Sequence, residues 1–208
     1  MARWRKPENL AEDLPRIAQN LTEQSPESLQ EFIPGAQTIL LCFNQPTARK
    51  TASNMIQSAA KPAQAHLPAR RLIKIPVYYT GSDLNALAQA KSLSEQEIIQ
   101  RHSSPVYTVE FMGFSPGFPY LGPLDTSLHT PRKASPRQRI EPGSVAIGGS
   151  HTGIYSVASP GGWHIIGKTS LPLFYAERAR TNCPDPNDVF LLQPGDRIKF
   201  ISIPAKPV

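Results

Sequence analysis

Hydrophobic positions recur with a helical period in the first half of the chain and with a strand period in the second. Leu10, Leu14, Ile17 and Leu21 share one face at helical spacing. They predict a helix that starts properly at Asp13 as N-cap, with Pro15 tolerated in its first turn. SLQEFIPGAQTILLCFN then predicts two short strands around a Pro34-Gly35 turn. A helix over 45–60, with Met55, Ile56 and Ala59 inward, and a strand over 72–79 (LIKIPVYY) complete a small α/β unit. KPAQAHLPA is a connection inside that unit. Two short helices follow in SDLNALAQAK and SLSEQEIIQRH, the second opened by Ser94 with Glu97 three residues later, the pattern of a capping box.

From Pro105 the helical period disappears. Short β-rich runs (VYTVEFMGF, GSVAIGG, GIYSV, GGWHIIG, DRIKFISI) alternate with Gly/Pro turns, which argues for a β-barrel or sandwich. The expected class is therefore α+β. It comprises an N-terminal α/β domain over 1–80, a helical connection over 81–104 and a β domain over 105–208.

Composition changes this picture in three places. The 208 residues include 22 prolines, against about 10 from average usage, and their dispersal implies many fixed turns rather than a disordered tail. Lys+Arg 22 against Asp+Glu 16 gives a net charge of +6, too modest and too little clustered to suggest nucleic acid. Cys42 and Cys183 stand far apart with no CxxC or Cys/His spacing, so neither a disulfide framework nor a metal ligand set is expected. The N-terminal MARWRKPENLAEDL has no apolar core like that of a secretory signal, and the longest apolar run, Ile39 to Phe43, is far too short to span a bilayer. These features lead us to expect a soluble, cytoplasmic protein without membrane contact.

Three stretches hold the candidate chemistry. FMGFSPGFPYLG (111–122) is aromatic, uncharged and stiffened by two prolines; it reads as a strand followed by a rigid turn holding Phe114, Phe118 and Tyr120. Such rings form either the wall of a pocket or interface, or a plug closing one end of a barrel. TPRKASPRQRIEPGS (130–144) places Arg132, Lys133, Arg137 and Arg139 within eight positions without an acid. Guanidinium forks suit carboxylates or phosphates, whereas a solvated basic loop is the plain alternative. GSVAIGGSHTGIYSVASPGGWHIIG (143–167) contains seven glycines, which would let backbone approach a ligand or form an anion nest. It is neither a phosphate-binding P-loop nor a serine-hydrolase elbow, and no Ser/His/Asp or paired-carboxylate set can be assembled from spacing. Trp163 reads equally as core or as pocket.

The same stretches, in this order, resemble the family of allophanate hydrolase subunit 1, which includes the B subunit of 5-oxoprolinase and the inhibitor of a sporulation histidine kinase. The matching residues are GFSPGFPYLG (113–122), TPRKASPRQRIEPGSVAIGGS (130–150), TGIYSVASPGGWHIIGKT (152–169) and LLQPGDRIKFISI (191–203). The resemblance implies a ferredoxin-like N-terminal domain, here lacking its first strand, followed by a cyclophilin-like β-barrel. It also implies two partners, a companion barrel protein of the C type and a third component of the A type. The implied activity is ATP-dependent opening of a small amide substrate, the lactam of 5-oxo-L-proline, to L-glutamate. The chain alone would be inactive. Kinase regulation and allophanate chemistry are the other activities the family offers.

Carried over onto this chain, the substrate- or partner-binding set is Phe114, Pro116, Gly117, Phe118, Tyr120, Arg137, Arg139, Gly148, Gly149, His151, Thr152, Tyr155, Gly161, Gly162 and Trp163. No catalytic residue is assigned. Relatives usually carry glutamine where His151 stands, so the resemblance implies that this position orients an amide rather than acting as a base. They also open with an apolar strand where this chain has only MARWRKPEN, so the resemblance implies either a misassigned start codon or an open sheet edge for a partner to cover.

Overall fold

Contacts divide the chain between Arg70 and Arg71 into two units. The structure, a computed structural model, describes residues 17, 20–21, 27–35, 39–60, 71–180 and 185–204. In the first unit, β1 (Leu29–Pro34) and β2 (Ile39–Phe43) form the expected antiparallel pair, with Pro34 opposite Ile39. Helix α1 (Arg49–Ala59) starts later than expected, because the residue before Pro46 is disfavoured from helix. Its Ile56 and Ala59 are buried, as are Ile17, Leu21 and Ile39. Asn20 donates its side-chain N–H to the carbonyl of Ala59 at 2.8 Å. Ile17, Asn20 and Leu21 are helical. The rest of the helix expected over 9–21, the connection over 61–69 and Cys183 lie outside the described residues.

The second unit is a barrel-like sheet of seven strands. They are β3 (Leu72–Val77), β4 (Tyr107–Met112), β5 (Pro119–Gly122), β7 (Ser144–Gly148), β8 (His151–Ile154), β10 (His164–Lys168) and β11 (Arg197–Ser202). Their order is β10-β7-β8-β5-β4-β11-β3. The two edges meet just beyond β3, where Tyr78 and Lys168 exchange both backbone hydrogen bonds at 2.8 Å. Closure removes the unpaired N–H and C=O groups that an open sheet leaves exposed. Beyond this contact Gly81 crosses the end of β10 so closely that a Cβ would lie 2.3 Å from the Ile165 carbonyl oxygen. β6 (Arg137–Ile140) and β9 (Ser159–Gly161) pair separately.

Alternation along these strands places Tyr107, Val109, Leu121, Val145, Ile147, Ile154, Ile198 and Phe200 in one core. Helices α2 (Leu84–Lys91) and α3 (Glu95–Ser103) add Leu84, Leu87, Ala88 and Ile98 to it. The capping box is present: Ser94 Oγ accepts from the Glu97 N–H while the Glu97 carboxylate accepts from the Ser94 N–H at 2.8 Å. A four-residue helix, α4 (Pro186–Val189), is the last of the described helices.

Three sequence expectations are corrected. The strand at 72–77 does not belong to the N-terminal unit; it pairs in parallel with β11, more than a hundred residues away, and so joins the barrel. That moves the division from residue 80 to residue 70. PYLG, read as part of a rigid turn, is strand β5 in mid-sheet, and the solvated loop offered as one reading of the basic stretch gives way at Arg137–Ile140 to strand β6, paired with β9.

One buried polar chain threads the core. His102 is fully buried and stacks on Phe200 at 4.6 Å. Thr152 donates its hydroxyl to the Ala146 carbonyl at 3.0 Å, so it accepts the Nε2–H of His102 at 2.7 Å. The remaining His102 nitrogen, Nδ1, then accepts from the Tyr79 hydroxyl at 2.7 Å. Burial pushes His102 down from 6.5 to about 3 and pushes the Tyr79 hydroxyl up. The unfolded chain therefore protonates this histidine near 6.5, whereas the folded chain does not until about 3. Stability is complete above 6.5 and falls as pH drops towards 3. Urea midpoints measured across this range should decline with acidity, and His102→Asn should flatten that decline whatever its effect at neutral pH.

Candidate functional site

The strand positions that alternate with the core face the opposite side of the sheet. Tyr120, Gly153, Ala146 and Ile165 lie in one cross-strand row over β5, β8, β7 and β10. On this row Phe118, Ile140, Ala146, Tyr155 and Trp163 build a second buried cluster. Its rings meet edge to face, Phe118 with Trp163 at 5.4 Å and with Tyr155 at 5.2 Å. Such pairs contribute about 0.5–1.5 kcal/mol each beyond the area they bury. The glycines are what allow this. A Cβ on Gly148 would lie 2.6 Å from the Trp163 ring, one on Gly161 2.1 Å from the Tyr155 hydroxyl, and one on Gly153 3.0 Å from the Phe118 ring. These glycines seat rings; they do not open a path for a ligand. Gly149 has open space around it, yet its N–H donates to the Thr130 carbonyl at 2.7 Å, so the anion nest expected at 148–153 does not form there.

The connection from β4 to β5 explains the two prolines and the extra phenylalanine. Ser115-Pro116-Gly117-Phe118 closes through the Phe118 N–H on the Ser115 carbonyl at 3.1 Å, with Gly117 at φ +76°. Proline followed by a residue of positive φ is the type II pattern. Immediately before it, the Ser115 N–H donates to the Gly113 carbonyl at 2.8 Å across Phe114, whose φ is +70°. That three-residue turn belongs to a rare and strained class, and a non-glycine residue there costs on the order of 1–3 kcal/mol. Ser156 donates its hydroxyl to the Pro116 carbonyl and braces the tip. The outcome separates the rings. Phe118, Tyr155 and Trp163 are 2%, 1% and 5% exposed, whereas Phe114 is 59% exposed and meets Phe118 and Tyr155 in T-shaped pairs.

A polar group sits at the other end of the row. Glu110 accepts from His151 Nε2 at 2.9 Å, and its carboxylate lies where Gly122 has no Cβ. Because an ionised carboxylate only accepts, the imidazole proton is on Nε2 and Nδ1 faces the Ser150 hydroxyl at 3.2 Å. Phe111 stacks on Tyr120 at 4.1 Å, and His151 stands edge-on to both rings. Burial raises the Tyr120 hydroxyl while the charge of Arg132 opposes that rise; Arg132 acts in the same sense on Tyr155. Arg132 is exposed and carries no ion pair among the described residues.

The other cations of the basic stretch are paired. Asp83 receives Lys133 and Arg137 at 2.8 Å each and the Ile165 N–H at 2.8 Å. Burial raises its carboxyl, but these donors and the Arg137 charge outweigh burial and hold it down at about 2. Arg139 pairs with Glu141 in solvent at 2.7 Å and meets none of the aromatic rings. Of the residues expected from sequence, Phe118, Tyr155 and Trp163 thus join in one cluster seated on Gly148, Gly153 and Gly161, while Phe114, Pro116 and Gly117 form the tip beside it. His151 and Tyr120 share a face with it. Gly162 backs onto Arg132 and Lys133, Thr152 turns to His102, and Arg139 stands apart. Sequence reasoning missed Glu110, which no spacing links to His151, and it named Arg132 in the basic stretch but left it out of the binding set, because its freedom from pairing is visible only once its neighbours are accounted for.

The resemblance implies ATP without saying which component of the complex holds it, and the residues of this basic stretch do not fit its phosphates. Lys133 and Arg137 are committed to Asp83, Arg139 to Glu141, and the Gly149 N–H to Thr130. One nitrogen of Arg137, Nη1, is buried without a partner, which suits a single acceptor oxygen rather than a triphosphate. Among the described residues no group of three His, Cys, Asp or Glu is placed to hold a metal ion, and no helix is long and apolar enough to cross a membrane.

The chain carrying this fold and face matches the carboxyltransferase domain, subdomains C and D. The model of that family matches residues 4–183, and the chain belongs to it. Within the family it is similar to proteins named as the B subunit of 5-oxoprolinase. Identity is 42% over 190 residues with that of Escherichia coli O157:H7, covering 89% of this chain and 83% of the relative. It is 48% over 134 residues with that of Haemophilus influenzae, covering 63% of this chain and 59% of the relative. Among solved structures, TTHA0988 superposes on all of this chain with TM-score 0.79 and 30% identity, but this chain spans only 40% of that polypeptide. The Kluyveromyces lactis urea carboxylase, at 17% identity, shares the fold with TM-score 0.69 over 97% of this chain and 20% of its own length.

Gly148→Ala tests the seating of the rings. The added methyl should displace Trp163, lower stability by about 1–3 kcal/mol and weaken the near-ultraviolet circular dichroism. Arg139→Ala should leave both at the wild-type value.

Proposed function

We propose that this chain is the B subunit of an ATP-dependent 5-oxoprolinase, opening 5-oxo-L-proline to L-glutamate together with companion proteins. The observation that carries this reading is the 42% identity with the Escherichia coli B subunit, which runs through most of both chains. Geometry supports it in outline. A lactam is a planar amide with one N–H and one carbonyl, and this substrate also bears a carboxylate. Arg132, free of internal pairing, suits the carboxylate. The Tyr120 and Phe111 rings offer a flat surface for the lactam. His151, held in one tautomer by Glu110, presents Nδ1 at the exposed Gly149-Ser150 turn, where it accepts an N–H in place of the Ser150 hydroxyl. This is orientation by hydrogen bonds, a role that a side-chain amide at the same position also performs.

Activation of the lactam carbonyl by ATP belongs, in this reading, to the complex; on this chain we assign the nucleotide no step. The phosphate-neutralising donors that such chemistry needs come from the companions.

The test is reconstitution. The isolated chain should release no glutamate from 5-oxoproline and ATP, and adding the A-type and C-type companions of 5-oxoprolinase should restore release. A complete mixture that stays silent rejects the assignment. In the active mixture, Arg132→Ala should raise KM for 5-oxoproline about tenfold or more with kcat little changed, the signature of lost substrate binding. A fall in kcat at constant KM would remove Arg132 from that role.

A further inference from the structure

We infer that Phe114 is the anchor by which this barrel docks a companion polypeptide. The inference rests on the proposed function for the identity of that companion. Four aromatic rings converge at the β4–β5 tip, and three are sealed against one another. The fourth, Phe114, is thrust 59% into solvent from a backbone conformation that phenylalanine rarely adopts, at φ +70°. Nothing inside the barrel requires this. Glycine would relax the turn, and a ring that only capped the cluster would be buried by it. The tip is also stiff: Pro116 occupies its second turn, the Gly113 N–H donates to the Phe118 carbonyl at 3.1 Å, and Ser156 holds the Pro116 carbonyl. A rigid aromatic knob loses little freedom on binding, which is the character of interface residues that dominate affinity.

The knob stands out from the surface, so it fits into a socket and does not form one. Its flank sets the socket's chemistry. Phe114 lies edge-on to Tyr155 at 6.2 Å, and the charge of Arg132 acts on the Tyr155 hydroxyl. Arg137 acts on Tyr155 in the same sense, and it shares the single charge of Asp83 with Lys133, so together with the unpaired Arg132 this flank stays positive. The complementary surface is an apolar pocket with a carboxylate on its rim. A folded polypeptide offers both. In TTHA0988 the matched region is 40% of the chain, so this fold stands there beside a larger remainder.

Phe114→Gly and Phe114→Asn both tolerate positive φ. Association of each with a purified C-type companion of 5-oxoprolinase, measured by calorimetry alongside the melting temperature of the isolated variant, provides the test. The expected result is a Kd at least roughly 30-fold above wild type, with the melting temperature unchanged or raised as strain is released. Unchanged affinity in both variants, or no association of the wild-type chain with the companion, overturns the inference. So does a wild-type dimer that either variant turns into a monomer, which would give the knob to a second copy. Glutamate release is scored separately. Tight, Phe114-dependent association in a mixture that never opens the lactam leaves this inference standing while the proposed activity falls.

Discussion

A single buried carboxylate organises the functional face of this barrel. Asp83 is 4% exposed and gathers onto its own segment donors from two others: the Ile165 N–H of β10, and Lys133 and Arg137 of the basic stretch. A buried acid without such partners would be strongly destabilising, so the three segments must arrive together. Their arrival has consequences on both sides. It pins the start of α2 to the strand that closes the barrel, and it draws β6 down so that Ile140 enters the aromatic cluster. The same contact consumes two of the four cations in the basic stretch. Electrostatics therefore serve architecture here, and only what is left over, chiefly Arg132, is free for binding.

On that frame, glycine and aromatic residues act as complements. Each ring of the second cluster lies where a missing Cβ leaves room, so ring position is dictated by backbone composition one strand away. Phe118, Tyr155 and Trp163 are buried and pack edge to face. What the face offers instead are two separate features. One is the protruding Phe114, held in a strained turn; the other is the polar end formed by Glu110, His151 and Tyr120. In the proposed reading, the first meets protein and the second meets a small amide. Dividing the labour in this way accounts for the rigidity of FSPGFP and for its exposed ring without requiring that one stretch do both.

Much of this could be read from the chain before its fold was known. The Ser94/Glu97 capping box, the β1–β2 hairpin, the Ser-Pro-Gly type II turn and the strands at 107–112, 144–148 and 164–168 all follow from neighbours within a few positions, where local sterics and alternation decide conformation. The change of period near Pro105 likewise marks where a β-rich architecture begins. The matching stretches pointed to the family that the comparisons bear out.

Other features depend on partners distant in sequence. Leu72–Val77 reads as a strand either way, but its place in the barrel is set by parallel pairing with β11. Arg137 and Arg139 look alike in sequence; one is bound to a buried acid and the other pairs with Glu141 in solvent. His151 is visible as a candidate, and Glu110, which fixes its tautomer, is not. The chain by itself determined its local turns, caps and periodicities, since those are governed by short-range backbone preferences. Only the tertiary structure decided which aromatic ring stays exposed and which charges remain free, because both depend on pairing across the closed sheet.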